Sequence, residues 1–490
     1  MLEWGADTPE AHAFWSDTKR CLAKWETAGD CGKTGLVPAI DALDSVWAVL
    51  AGDITGRVPS SAALEHALGS HARAIAQTWR RISADRDPND AWLDAAETEF
   101  LTLLRSESYM ETQRRIIEAL LDAWDNLGPE HQSAQRLGWQ TGTGFGRLAW
   151  PGALRVPIGQ SAFETVWRSG RYALHRYVTT HGNPGPPIVI CYGLIGRHTV
   201  TDLLPDRSIV RRLLDRGFDV YALDWGSGSH EDPGPDMADL VNRALAPAIR
   251  MAAAASGRPV TLFGICQGGT LGLCHAALDS EHLSSLVLAG TPVDFHADHL
   301  DPNLGHGLLN VWLRALPESL IARLIDAMNG LPGLLLGAVF NQMNPVRTLK
   351  RYAIDLPAAF RRGVPDPCFR AMETWLADRP DLPARFARQW LIDLYRKNAL
   401  VRGDLVLDGR RVDLGAIRIP VLCIAGASDH IIPPPCQTAL ESFVRPGGFC
   451  LRTVDAGHIG ALVGRVAGRE TAEIIDMWHT RHVNHQVSRD

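Results

Sequence analysis

The sequence predicts an α/β fold, a mostly parallel sheet flanked by helices and interrupted by a capping insertion, preceded by a helical N-terminal module. Three observations carry this. After about residue 150, short apolar runs of strand length alternate with helical stretches, the pattern of crossover-connected parallel strands. One of those runs turns at once into a helix through a glycine-flanked cysteine, Gly264-Ile265-Cys266-Gln267-Gly268. Ahead of all this, residues 1–150 show helical periodicity and no strand pattern.

The N-terminal elements come first. Residues 112–124 place apolar side chains at 116, 117, 120, 121 and 124, one face of a helix. Residues 11–25 have the same character, with aromatics at 14, 15 and 25. The glycine-rich stretch 141–146, followed by Pro151-Gly152, reads as a linker. From there, strands are expected at 220–223, 259–263, 419–426 and 451–454, with helices at 207–216, 237–255 and 271–278. The expected domains are therefore 1–150 and 151–490, with the cap at about 296–400. The cap is rich in Trp312, Phe340, Phe369, Trp375, Phe386, Trp390 and Tyr395, most of which belong in a core.

The 259–278 segment matches the nucleophile elbow of an α/β-hydrolase, with cysteine in place of the usual serine. A strand that turns directly into a helix crowds its neighbours, so glycines flank the nucleophile, which itself takes strained dihedrals. The turn also sets the Cys266 sulfur at a helix N-terminus, where the macrodipole favours a thiolate. A thiolate exchanges readily with thioesters, because sulfur attacks and leaves with similar ease. The bland alternative is a structural cysteine in a glycine-rich turn.

Partners for Cys266 follow in the order the fold requires: nucleophile, acid, histidine. The strand at 419–426 ends in a loop carrying Asp429, and the strand at 451–454 leads into Gly457-His458-Ile459-Gly460. A helix N-cap or turn position for Asp429 and an ordinary loop position for His458 are the competing readings. Asp224 and Asp294 also end strands. Asp224 precedes the nucleophile, the wrong order, whereas Asp294 occupies a position where some hydrolases place their acid. His430, beside Asp429, reads as a packing or loop residue in preference to a second base. The expected oxyanion donors are the backbone N–H of Gln267 and one from the Leu194-Ile195 loop.

Composition excludes several classes. The net charge of −6 is mild, and no basic run points to nucleic acid. Nine scattered cysteines without C-x-x-C pairing argue against a metal site or a disulfide framework and fit a reducing cytoplasm. The first residues lack the basic and apolar regions of a signal peptide, and the most apolar stretch, 331–340, is too short to span a bilayer. No phosphate-cradling glycine loop is present, and no cofactor or metal is expected.

Beyond the elbow, Ile190-Cys191-Tyr192-Gly193-Leu194-Ile195-Gly196-Arg197, Leu204-Pro205-Asp206-Arg207-Ser208, Val220-Tyr221-Ala222-Leu223-Asp224-Trp225-Gly226, Thr291-Pro292-Val293-Asp294-Phe295, Met372-Glu373-Thr374-Trp375, Asp429-His430-Ile431-Ile432-Pro433 and Gly457-His458-Ile459-Gly460 extend the pattern. With the cysteine box, these segments resemble polyhydroxyalkanoate synthases, in particular the catalytic subunit of the two-subunit class III type. The resemblance runs from about residue 157 to the C-terminus. It implies an acyltransferase that polymerises 3-hydroxyacyl-CoA, chiefly 3-hydroxybutyryl-CoA, releasing coenzyme A through an acyl-cysteine intermediate. It further implies Cys266, Asp429 and His458 as catalytic residues, with Asp429 mattering more to elongation than to thiol activation. A homodimer, a growing polyester chain and a cytoplasmic granule surface are the implied partners. Residues 105–115 resemble a stretch of the class III partner subunit, so 1–150 is expected either to replace a separate partner subunit or to be a class I-like helical domain. A plain dimerisation arm stays open as well. Arg197 is a coenzyme A contact on position alone, with a salt bridge as the equal alternative. A thioesterase or polyester hydrolase, and a non-catalytic granule protein, are the rival functions.

Overall fold

Three strands of the central sheet are buried at every residue, which is why they read as continuous apolar runs: β3 (Pro187–Cys191), β5 (Val260–Ile265) and β7 (Val421–Gly426). With β1 (Phe163–Ser169), β2 (Tyr172–Tyr177), β4 (Asp219–Asp224), β6 (Leu283–Ala289) and β8 (Phe449–Val454) they form an eight-stranded sheet in the order β1-β2-β4-β3-β5-β6-β7-β8. Every pair from β4 to β8 is parallel. The structure is a computed structural model and describes residues 74, 78, 98–100, 102–126, 155–179, 185–226, 234–297, 308–342 and 366–482. The expected helix at 11–25 and linker at 141–146 lie outside the described residues.

The chain divides into two compact units, Met1–Arg147 with Ala338–Pro365, and Leu148–Gly337 with Asp366–Asp490. In the first, the helix expected at 112–124 extends over Glu107–Asp125. Ser106 caps its start by accepting from the Tyr109 N–H at 3.3 Å, and Glu111, Arg114, Arg115 and Glu118 pair along its surface.

In the second unit, the first two strands depart from the expected pattern. β1 and β2 form an antiparallel hairpin at the sheet edge, and β2 also runs antiparallel to β4. The hairpin escaped the sequence reading because β1 is a largely exposed edge strand and β2, though mostly buried, is broken by His175 and Arg176, so neither shows a continuous apolar run. The helix expected at 207–216 is shorter, Ile209–Leu214, because Ser208 accepts from the Arg211 N–H at 3.0 Å and starts it late. The helix expected at 237–255 is interrupted by a π turn, Leu240–Leu245, and ends at Gly257 in the left-handed region.

One face of the sheet packs on Ile209, Val210 and Leu213 and on Ala472, Ile475 and Trp478 of the helix Ala467–His482. The segment between β6 and β7 contains the helices Leu308–Ala315, Glu318–Met328 and Pro367–Ala377 and the π-helical turn Gln389–Arg396. Its aromatics pack as expected of a core: Phe386 stacks on Trp390 at 5.6 Å, and Phe295 meets Trp390 and Tyr395 edge-on at 5.5 and 4.9 Å. Among the described residues no helix is long and apolar enough to cross a membrane.

Candidate active site

The elbow forms where β5 ends. Cys266 has φ 52° and ψ −126°, a conformation costly for any residue with a Cβ, and the helix Gln267–Leu278 starts directly after it. Its backbone is held on both sides: the Cys266 N–H donates to the Ala289 carbonyl at 3.0 Å, and its own carbonyl accepts from Gly269 and Thr270 at 2.9 and 3.3 Å. Glycines are required here by close approach. A Cβ on Gly264 would overlap the Gly269 Cα, and one on Gly268 would overlap the Cys191 carbonyl oxygen. The consequence is a half-buried thiol presented at the carboxyl end of the parallel strands, where α/β sheets place their sites.

Asp429 and His458 come from the loops after β7 and β8. His458 Nδ1 lies 2.8 Å from Asp429 Oδ2. The other carboxylate oxygen accepts from the backbone N–H of Ile431 and Ile432 at 3.0 and 2.9 Å, which fixes the buried carboxylate. Burial alone would lower the His458 pKa. The Asp429 carboxylate and then the neighbouring Cys266 sulfur outweigh it and hold the imidazole well above its ordinary value. The structure thus brings the three residues picked out by sequence order into one site. Such a triplet can move a proton between sulfur and imidazole while the carboxylate holds the ring.

The competing aspartates are engaged elsewhere. Asp294 Oδ1 accepts from the His296 N–H at 2.9 Å and from Asn398 Nδ2 at 2.7 Å, clamping the loop after β6. Asp224 faces His175 and His198, each at 3.7 Å, and accepts from the Gly226 N–H at 2.9 Å. Burial would raise its carboxyl, but His175, His198 and that N–H hold it down at about 2. Arg197 pairs with Asp378 through its Nε at 2.7 Å, the salt-bridge alternative.

Two features were not read from the sequence. The Gln267 carboxamide, buried beside Cys266, accepts through Oε1 from the N–H of Leu194 at 2.9 Å and of Ile195 at 3.3 Å. The loop N–H groups expected to face an oxyanion are therefore occupied by a side chain. Gly290, at φ 55°, lies under His458, where a Cβ would come within 2.8 Å of its Cε1. The missing Cβ permits that approach, the left-handed φ independently favours glycine, and no local motif announces either. Among the described residues no group of three or more His, Cys, Asp or Glu is arranged to hold a metal.

Elbow, sheet order and the strand-end loops define an α/β-hydrolase-fold protein, and the family model described as alpha/beta hydrolase fold matches residues 186–464. Within that class, the chain belongs to the poly(3-hydroxyalkanoate) polymerase family, whose members are acyltransferases. It is 30% identical over 357 residues to the poly(3-hydroxyalkanoate) polymerase subunit PhaC of Allochromatium vinosum, covering 72% of this chain and 98% of that one. The PhaC subunit of Synechocystis is likewise 30% identical, over 66% of this chain and 85% of that one. Among solved structures, a carboxyl esterase from Bacillus coagulans is similar with a TM-score of 0.43 and 14% identity, over 66% of this chain and 99% of that one.

Proposed function

We propose that this chain polymerises short 3-hydroxyacyl thioesters of coenzyme A, chiefly 3-hydroxybutyryl-CoA, through an acyl–Cys266 intermediate. One observation supports this above the rest: a cysteine held at a strained elbow beside a histidine that an aspartate keeps basic. In the first step the Cys266 proton passes to His458 and the thiolate attacks the thioester carbonyl. The tetrahedral oxyanion takes the Gln267 backbone N–H as one donor. Leu194 or Ile195 supplies a second once the Gln267 carboxamide gives it up. The carbon–sulfur bond to coenzyme A breaks, and the imidazolium proton leaves with the coenzyme A sulfur.

Elongation uses the same base on a different proton. His458, oriented by Asp429, removes the proton of a 3-hydroxyl group, and the resulting oxygen attacks an acyl thioester to form the new ester. The freed sulfur recovers the proton. The residues between β6 and β7 would shield the acyl–cysteine from water, which would otherwise release the chain as acid. The same reading carries a granule surface, a cytoplasmic location, a homodimer and an N-terminal module that replaces a separate partner subunit.

The test is incubation of purified full-length protein, without any second protein, with 3-hydroxybutyryl-CoA, following free thiol and insoluble polymer. Release of coenzyme A with polymer, and a hydroxyacyl adduct on Cys266, are expected. Release with only soluble hydroxy acid would make the chain a thioesterase. Activity only after a helical subunit is supplied would remove the proposed role of the N-terminal module.

A further inference from the structure

The loop of residues 193–197, which leaves β3 and passes the elbow, is gripped from two sides. From the elbow, the Gln267 carboxamide oxygen holds the N–H groups of Leu194 and Ile195. From the other side, the helix Pro367–Ala377 lays Trp375 across the same loop. The Trp375 indole Nε1–H donates to the Arg197 carbonyl at 2.9 Å. Its ring meets Tyr192 edge-on, with centroids 6.1 Å apart. It also fills the space over Gly196, where any Cβ would overlap the indole at Cζ2.

Two further contacts decide which residue matters. Asp378, just past the end of that helix, pairs with Arg197, but its side chain is 60% exposed, and such pairs contribute little. Trp375 is 7% exposed and combines a hydrogen bond with close packing, so it carries the grip. Tyr192, which Trp375 touches, is itself anchored: its carbonyl accepts from Trp225 Nε1 at 2.7 Å. A displacement of Trp375 therefore acts first on Gly196 and Arg197, next to the residues that carry the two N–H groups.

We propose that Trp375 is a positioning residue for acyl transfer: it seats the 193–197 loop against the elbow, so that the N–H donor released by the Gln267 carboxamide reaches the acyl oxygen only while the helix Pro367–Ala377 is in place. This rests on the proposed reaction at Cys266, since an acyl oxygen must bind for donor geometry to matter. It also gives the segment between β6 and β7 a role beyond excluding water. Lifting the helix to admit a substrate would loosen the donors, and reseating it would restore them. Chemistry is thereby confined to the closed arrangement.

The experiment compares Gly196→Ala, Trp375→Phe and the double variant with the wild-type full-length protein. Three readouts are taken: coenzyme A release from 3-hydroxybutyryl-CoA, p-nitrophenyl acetate hydrolysis, and alkylation of Cys266 by iodoacetamide. Acyl transfer develops an oxyanion, whereas alkylation does not, so a loop effect moves the first two rates and leaves the third unchanged. Gly196→Ala drives a methyl into the indole and is expected to lower kcat for acyl transfer by about 10- to 100-fold. Trp375→Phe loses the hydrogen bond to Arg197 and is expected to lower kcat about fivefold. Phenylalanine lacks the outer ring that the methyl strikes, so the double variant should be faster than Gly196→Ala alone, the mark of direct coupling.

The proposal is overturned if Gly196→Ala and Trp375→Phe both transfer acyl groups at the wild-type rate. It is also overturned if the double variant is no faster than Gly196→Ala, or if alkylation falls in step with acyl transfer. A wild-type protein that hydrolyses the ester but ignores 3-hydroxybutyryl-CoA would defeat the polymerase reading, while the role of Trp375 would still be read on the ester. No reaction with either substrate would overturn both.

Discussion

Replacing Cys266 with glycine should make the protein more stable than replacing it with alanine, while both variants lose the chemistry. At φ 52° and ψ −126°, a Cβ crowds the adjoining backbone, and such conformations cost about 1–3 kcal/mol. The strain persists because the hydrogen bonds to Ala289, Gly269 and Thr270 fix the residue from both sides. Alanine is the proper reference, since it also lacks the sulfur but keeps the Cβ and hence the strain. Glycine relieves the strain, but its unfolded chain is freer by about 0.5–1 kcal/mol. The net gain of Cys266→Gly over Cys266→Ala is then about 0.5–2 kcal/mol. For a cooperative unit of about 300 residues, this is a rise of about 1–3 °C in Tm. Scanning calorimetry on the two variants side by side measures it, with coenzyme A release absent in each. If Cys266→Ala melts at or above Cys266→Gly, the elbow stores no strain and the argument from its dihedrals fails. The expected sign is the one found where function holds a fold below its best stability.

The other expectations concern neighbours of the site. His458→Gln should lose acylation and elongation together, because one base serves both, and Asp429→Asn should keep measurable acylation while short acyl chains accumulate on Cys266. Mass spectrometry of the trapped enzyme distinguishes them, and two variants that elongate like wild type would exclude the triad. Asp294→Ala should lower stability by about 1–2 kcal/mol through the orphaned His296 N–H and Asn398 amide, yet leave kcat within about threefold. Cys274→Ala should keep activity, because burial pushes that thiol up to about 12 and leaves it protonated at neutral pH. A labelling experiment with iodoacetamide should accordingly modify Cys266 and spare Cys274. Burial pushes His275 down to about 4, so between the unfolded value near 6.5 and about 4 the unfolded chain takes up a proton that the folded one refuses. Stability should therefore fall by up to about 3 kcal/mol as pH drops through that window. The Tm gap between His275→Gln and wild type should narrow on acidification, and parallel curves would refute the assignment.

Much of the site could be read from the chain because its signals are local. Gly264-x-Cys266-x-Gly268 announces a strand-to-helix turn through the steric demands of five consecutive residues, and the structure shows that demand at the Cys191 carbonyl and the Gly269 Cα. The loops carrying Asp429 and His458 each follow a strand, a fully buried one at Val421–Gly426 and a half-exposed one at Phe449–Val454, and chain order named the two residues. The β1–β2 hairpin was missed for the opposite reason: β1 is a largely exposed edge strand, and β2, though mostly buried, carries His175 and Arg176 in place of an apolar run.

What the sequence determined by itself is the succession of buried strands, the elbow and the order of its partners, because burial and backbone strain are written in residue type and spacing. Tertiary structure alone decided which aspartate faces His458 and which is tied to Asn398. It alone set the Gln267 carboxamide on N–H groups 72 and 73 positions away, and the Trp375 indole on a carbonyl 178 positions away. Such contacts depend on where a side chain is delivered after the sheet has closed and the helices have packed. The physical reason is that a hydrogen bond between distant segments has no local signature: either partner, read in its own stretch of chain, could bond to water as well.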